Sequence, residues 1–412
     1  MTNSILILNT YSIKNPISGG QRRAAAIADK YRELGLEVYY VGIYSYTSVG
    51  PDMNTVGPYD VQIRDKKSLD YIDALHHEYI GDVGVGEVAI NDDYVYQELI
   101  RRIQKYQPRY IELEHPYLLP FIEKAKSEGH LSDQIIIHSS HNVEYLMKKE
   151  MLDADTSITD ERKAEIVARV KELEGRLCKV ADFTLAVTEA DATKFRSFGA
   201  KKVIIAPNAI GEPTRDAKAT QALRKLREKE GTSKTIVFVG SAHPPNLQGY
   251  LDVVGTRLGF LPKGSKLVVA GTVCWMIQDY IWRQSPIEQS TFHLRTQLAG
   301  RVSDAELAAI LELADLIILP ITTGGGSNLK TAEAIYSGKQ VLGTEFSFRG
   351  FEKYANLPGI TLVKTKAEFH QKMAELTTGV VKQPKRSAAE VRRAAEVLWP
   401  NALGGLQEIV AS

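Results

Sequence analysis

Short apolar runs alternate with amphipathic stretches of helical period through most of the chain, and the alternation occurs in two series. In the first, residues 5–8, 37–44, 110–114, 134–138, 183–187 and 202–206 read as strands. Residues 21–34, 92–106, 118–128, 160–179 and 189–198 read as helices. In 160–179 the apolar positions Ile166, Val170, Leu173 and Leu177 share one face. Gly35 stops the first helix. Residues 47–70 are polar, contain glycine and show little pattern. In the second series, strands are expected at 235–239, 266–270, 316–319, 340–343 and 360–363, with a weaker one around 292–294 and 298. Helices are expected at 247–258, around 275–283, at 330–337, 366–377 and 388–398. Ser303 and Glu306 form a capping box that opens a further helix to Leu313.

Strands that alternate with helices of this length imply parallel sheets. Two such series imply an α/β protein of two doubly wound, Rossmann-like domains facing across a cleft. The first spans residues 1–210 and the second 234–385, with a charged linker at 211–233 that holds a short helix around Leu223 and Leu226. Ligands of such sheets sit beyond the carboxyl ends of the strands, so residues there carry the search for function.

The chain has 412 residues, 44% of them hydrophobic and 25% charged, enough for two sizeable cores. A net charge of +1 gives no field that would favour nucleic acid. The two cysteines, Cys178 and Cys274, are far apart and match no metal-ligand spacing, which fits a reducing cytoplasm. Residues 4–8 read as a first buried strand, not a signal peptide, and no apolar run is long enough to span a membrane. Peripheral attachment at the inner membrane face stays open. Arg101, Arg102, Lys105 and Arg109 could face anionic lipid, although a solvated helix face is the simpler reading.

The strongest chemical signal is residues 322–333, TTGGGSNLKTAE, between an apolar run closed by Pro320 and a helical segment. Gly324, Gly325 and Gly326 leave bare backbone amides at a helix start, which suits a phosphate. Ser327, Asn328 and Leu329 continue that cradle. Lys330 suits a diphosphate and Glu333 a sugar hydroxyl. Three positions apart on a helix, they can reach one ligand. Gly240 and Ser241 end the first strand of the second series, where a ligand can approach closely. In the first half, Gly19 and Gly20 follow Ser18 at a strand-to-helix turn. His141 lies just beyond the strand 134–138, where it could position a hydroxyl or move a proton. Glu112, Glu114 and His115 end a neighbouring strand. Two further patterns are read as decoys. Residues 84–89 lack the strand context of a dinucleotide fingerprint, and Asp153–Asp155 lies in a charged loop, so no metal is expected.

The second half resembles the donor domain of GT-B glycosyltransferases, most closely those grouped as family 4. The residues that carry the resemblance are Phe238-Val239-Gly240, Gly300-Arg301-Val302-Ser303-Asp304, Leu316 to Pro320, Gly324 to Gly326, Glu333-Ala334 and Gln340 to Thr344. The first half fits through Gly19-Gly20, His141 to Glu144, Thr188 to Asp191 and Pro207-Asn208. The resemblance implies transfer of a sugar from a nucleoside diphosphate to an acceptor held by the first domain: a glycan, a lipid-linked glycan or a protein, as in polysaccharide biosynthesis. It implies that amides of residues 324–329 and Lys330 hold the diphosphate. Glu333 would bind the ribose, and the backbone near Arg301 and Val302 the base. Gly19 and Gly20 would approach the phosphate or sugar, with His141 near the sugar. It also implies a mechanism without metal or other cofactor, retention of configuration, and a last helix, within 386–412, that packs back on the first domain. Two departures stand out. Gly325 occupies the place of the family's first donor-site glutamate, and residues 241–246 replace its usual basic residues. The same architecture could instead serve a nucleotide-sugar epimerase or hydrolase, or a non-catalytic binding protein.

Overall fold

The computed structural model describes residues 2–45, 56–324 and 327–411. They form two compact units, the first of residues 2–207 with 402–411 and the second of residues 208–401.

In the first unit the strands are β1 (Thr2–Asn9), β2 (Glu37–Ser45), β3 (Val61–Ile63), β4 (Pro108–Leu113), β5 (Ile135–Ser139), β6 (Phe183–Ala186) and β7 (Val203–Ile205). All pairings are parallel, in the order β3-β2-β1-β4-β5-β6-β7. Ile5, Leu6, Ile7 and Leu8 of the central β1 are all buried, as expected of a parallel strand covered on both faces. The order reverses between β1 and β4, which opens a crevice at their carboxyl ends. The helix Gly19–Glu33 starts there on a capping box. The Ser18 hydroxyl accepts from the Gln21 amide, and Gln21 Oε1 accepts from the Ser18 amide.

The second unit holds β8 (Lys234–Val239), β9 (Ser265–Ala270), β10 (Thr296–Gly300), β11 (Leu316–Leu319), β12 (Gln340–Thr344) and β13 (Ile360–Val363). These too are all parallel, in the order β10-β9-β8-β11-β12-β13. Ile236 and Phe238 enter one core and Val237 the opposite one, so the alternation along β8 fills both layers. The order reverses between β8 and β11.

Several expectations change. The stretch 292–294 is no strand. Ser285 accepts from the Glu288 amide and Pro286 opens a helix, Pro286–Arg295, that buries Phe292 and leads directly into β10. The short helix expected around Leu223 and Leu226 within 211–233 is present and longer. Asp216 caps the helix Ala217–Lys229, and Arg227 ties that helix to the second unit through the Leu313 carbonyl (2.6 Å) and Asp315 (3.0 Å). Residues 386–401 also stay with the second unit: Arg386 donates to the Ile335 carbonyl at 2.6 Å, and Ile210 exchanges backbone hydrogen bonds with Val397 and Trp399. The chain rejoins the first unit at residue 402, where Lys202 meets Glu408 at 3.2 Å. Part of 47–70 is regular, with β3 and the helix Lys66–His76; residues 46–55 lie outside the described set. Residues 84–89 fall inside a buried helix, Gly81–Asn91, where a Cβ on Gly86 would sit 1.8 Å from the Tyr117 carbonyl oxygen. Gly86 is therefore a packing glycine.

Candidate active site

In the first unit the carboxyl ends of β1, β4 and β5 gather a buried polar cluster. Glu112, within β4, and Glu114, just after it, are both fully buried. Glu112 Oε2 accepts from the Tyr31 hydroxyl at 2.6 Å, across from the helix Gly19–Glu33. Arg23 of the same helix is buried beside both carboxylates and donates to the Ala206 carbonyl at 2.7 Å. Burial, reinforced by the Glu114 charge, pushes the Glu112 carboxyl up to about 8.

Glu114 Oε2 lies 2.6 Å from His141 Nε2 and accepts from Ser139 at 3.3 Å. A carboxylate accepts only, so Nε2 carries the imidazole proton and Nδ1 keeps its lone pair. Burial and the neighbouring His115 ring, 4.5 Å away, lower the His141 pKa, so its neutral form dominates at pH 7. Nδ1 faces the α-carbon of Gly20: a Cβ there would lie 3.3 Å from Nδ1 and 2.9 Å from the Tyr11 hydroxyl. Gly20 therefore leaves open the side of the imidazole that can accept a proton.

His115 behaves oppositely. Burial disfavours its charge, but Glu144 at 3.4 Å outweighs that and raises its pKa. Burial alone would raise Glu144. The charges of His115 and Lys148, with the Tyr117 hydroxyl at 2.6 Å, instead bring its carboxyl down to about 2. Lys148 in turn lies 3.7 Å from Asp82, which accepts from Thr10 at 2.9 Å. Beside this network lies a cavity of about 270 Å³, lined in part by Thr10, Tyr11, Ser12, Asn15, Gln21 and Asp82. Among the described residues no Lys or Arg lines it.

In the second unit the loop after β8 and the loop after β11 come together. Gly240 closes β8 by donating to the Ala270 carbonyl and accepting from the Val273 amide. The chain then turns through Ser241 into a short helix, Pro244–Gly249. Asn246 on that helix donates to the Ser241 carbonyl at 2.9 Å and accepts from the Lys330 ammonium. Lys330 also sits 5.6 Å from the centre of the Phe238 ring. Burial brings its pKa down to about 8, against the raising effect of Glu333. Gly324 has φ +115°, a conformation that favours glycine, and it faces Pro245. The helix Leu329–Ser337 begins at Asn328 with no side-chain cap, so side chains leave its first amides available. Asn208 donates to the Ser327 carbonyl at 3.2 Å, and Thr331 holds the loop after β12 through the Ser347 carbonyl at 2.7 Å. That loop carries Arg349, whose guanidinium stacks 4.6 Å from the Phe346 ring centre.

Of the residues singled out from the sequence, Gly19, Gly20 and His141 gather in the first unit. Gly240, Ser241, Gly324, Ser327, Asn328, Leu329, Lys330 and Glu333 gather at the switch point of the second. Glu333 is half-buried one helical turn from Lys330. Arg301 is exposed and Val302 half-buried beyond β10, on the outer strand of the sheet. Gly325 and Gly326 lie outside the described residues. Sequence reasoning missed Arg23, Tyr31 and Lys148, which look like ordinary helix residues until the fold brings them to the cluster. Arg101 and Arg102 bond Glu98 on their own helix, and Arg102 also holds the Tyr59 carbonyl at 2.8 Å. Among the described residues, no helix is long and apolar enough to cross a membrane, and no group of three or more His, Cys, Asp and Glu side chains could hold a metal ion.

No protein-family model matches the chain, and no curated protein sequence matches it. Solved structures do match over its full length. Sucrose-phosphate synthase from Thermosynechococcus elongatus superposes with a TM-score of 0.63 at 12% identity, covering 99% of this chain and 96% of that one. Anabaena HepE, solved in complex with UDP-glucose, gives 0.64 at 12% identity, covering 99% of each chain. α,α-Trehalose 6-phosphate synthase from Burkholderia multivorans gives 0.63 at 15% identity, covering 100% of this chain and 96% of that one. The chain therefore has the GT-B fold of two Rossmann-like units.

Proposed function

We propose that this protein is a glycosyltransferase that moves a sugar from a nucleoside diphosphate sugar to a hydroxyl-bearing acceptor, as its likeness to family 4 implies. The observation that carries the reading is Lys330. It is a lysine with a depressed pKa at the uncapped start of a helix, beside a glycine loop at the switch point of a parallel sheet. Burying an ammonium is costly, and an anionic ligand would offset that cost. A diphosphate suits both the cation and the amides of the helix start. HepE, which shares the fold, has been solved with UDP and with UDP-glucose, and this supports a nucleotide-sugar donor here.

In this reading the second unit takes the donor. Lys330 and the amides of residues 324–329 stabilise the departing diphosphate without a metal, and Glu333 takes the ribose hydroxyls. The first unit takes the acceptor. His141 Nδ1 accepts from a sugar hydroxyl, with Glu114 fixing the tautomer. The cavity beside Tyr11 supports the choice of acceptor. Beside the apolar Ile17, Ile72 and Val85, its lining offers hydroxyls, amides, the Asp82 carboxylate and the His76 imidazole, which fits a neutral polyol, such as the sugar end of a glycan or lipid-linked glycan. A phosphorylated sugar would call for a Lys or Arg there. Retention of configuration and a cytoplasmic setting belong to the same proposal.

The test is incubation with a panel of UDP-, GDP- and ADP-sugars, following nucleotide release with and without added neutral glycans. Release that depends on an acceptor supports transfer. Release or isomerisation without one points to a hydrolase or epimerase, and binding without turnover to a sensor. Binding of no nucleotide would refute all of these.

A further inference from the structure

Asn208 is the first residue of the second unit, and its side chain reaches the glycine loop from 119 positions away in sequence. Its Nδ2 donates to the Ser327 carbonyl at 3.2 Å. Asn208 stands on a fixed base. Pro207 restricts the backbone before it, and Ala209 and Ile210 after it are buried. Ile210 donates to the Val397 carbonyl and accepts from the Trp399 amide, both at 2.9 Å. The loop has less with which to hold itself. Gly324, Gly325 and Gly326 have no side chains to anchor it, and Asn328 does not cap the helix Leu329–Ser337 with its side chain. The Ser327–Asn328 peptide is trans, and the carbonyl and N–H of a planar trans peptide point in opposite directions. Holding the Ser327 carbonyl therefore turns the Asn328 N–H to the side away from Asn208. Among the described residues that amide has no hydrogen-bond partner.

We propose that Asn208 is a positioning residue of the donor site: by pinning the Ser327–Asn328 peptide it keeps the Asn328 N–H presented to a nucleoside diphosphate before the ligand arrives. The proposal rests on the reading of residues 324–330 as the donor loop. A peptide held at neither end can rotate as a unit and exchange its N–H for its carbonyl. A carbonyl turned toward a diphosphate would repel it, so every such state is lost to binding, and apparent affinity falls with the fraction of molecules in the competent state. The Asn208 bond disfavours the flipped state. It also orders the peptide in the free protein, so that less entropy is lost when the ligand binds. The amide suits this task because it donates without bringing a charge. A carboxylate at this position would accept only and would repel the carbonyl.

The test is titration calorimetry of the full chain with the tightest binder among UDP, GDP and ADP, and with the nucleoside of the same base. Asn208→Leu is close in size, neutral and unable to donate; Asn208→Ala removes the side chain altogether. Neither adds a charge that could repel a phosphate. Each should weaken diphosphate binding by about fivefold to tenfold and leave nucleoside binding within about twofold, since the nucleoside has no phosphate for the Asn328 amide to meet. Thermal unfolding checks that both variants are folded. Unchanged diphosphate affinity in both variants would overturn the role of Asn208 and leave the donor-loop reading intact. An equal loss for diphosphate and nucleoside would also overturn it, because Asn208 would then support the unit as a whole. A wild-type chain that binds no nucleoside diphosphate would refute the donor-loop reading itself, and this proposal with it.

Discussion

Replacing Lys330 by methionine separates binding from stability in a way few other substitutions here would. The thioether keeps the length of the stem and removes the charge. The ammonium donates to Asn246, a neutral amide, and the Glu333 carboxylate offsets only part of the cost of burying its charge, so an anionic ligand would stabilise it further. A charge-assisted hydrogen bond contributes about 1.5–3 kcal/mol, so nucleoside diphosphate affinity should fall about 10- to 150-fold. Burial sets the Lys330 pKa near 8. Wild-type affinity should therefore decline above pH 8 by up to about tenfold per pH unit, while the methionine variant stays flat. The stability change has the other sign. An unfolded lysine keeps its proton to about pH 10.4, so between pH 8 and that value the unfolded chain binds more protons and wild-type stability rises with pH. Below pH 8 the cost of burying the charge is fully present. Lys330→Met should thus unfold at a higher temperature than wild type at pH 7, with the advantage shrinking as pH rises through 8. Titration calorimetry with the tightest binder among UDP, GDP and ADP, plus thermal unfolding across pH, measures both effects. Unchanged affinity in the variant, or a flat wild-type pH curve, would refute the assignment of Lys330.

Three further outcomes follow from the first unit. Glu114→Gln replaces an acceptor-only carboxylate by an amide that can also donate, so the His141 tautomer is no longer fixed and turnover should fall by about tenfold to a hundredfold, with little change in the KM for donor; nitrogen-15 NMR of the ring would show protonation spread over both nitrogens. Gly20→Ala places a Cβ 2.9 Å from the Tyr11 hydroxyl and 3.3 Å from His141 Nδ1. It should therefore abolish most turnover while stability shifts by about 1 kcal/mol or less, since alanine favours the helix; equal activity in the two proteins would show that this side of the imidazole is unused. Glu112 has a carboxyl raised to about 8 by burial and by Glu114, so the folded chain holds a proton that the unfolded chain loses near pH 4.5. Stability should fall as pH rises through this window, and Glu112→Gln should flatten the slope and be the more stable protein at pH 8, as followed by urea unfolding.

Local chemistry was legible in the sequence, and long-range pairing was not. Gly324 to Lys330 declared itself because glycine conformation, a helix start and a following lysine are all encoded within a few residues. That Lys330 would meet Asn246 depends on two loops far apart in sequence being brought to one switch point. Arg23 and Tyr31 lie on a helix whose apolar face looks like any core-facing stripe, and only burial against Glu112 and Glu114 gives them meaning. The helix Ala217–Lys229 is legible only around Leu223 and Leu226, because it buries only Thr220 and is otherwise a charged surface helix. Residues 292–294 were ambiguous because three residues contain too little of either period.

The same topology explains why the chemistry sits where it does. In each sheet one pair of adjacent strands, β1 with β4 and β8 with β11, sends its connections in opposite directions. The backbone there opens a crevice that no helix fills, so side chains and amides at those strand ends face a potential ligand instead of the core. Buried ionisable groups lower stability, and a fold under no other demand would place apolar residues at Glu112, Glu114, His141 and Lys330. Glu112, His141 and Lys330, whose proton affinities are shifted, lie at or next to the two switch points. Stability is given up at the positions where topology makes catalysis possible, and this coincidence supports an enzymatic role over that of a passive nucleotide-binding protein.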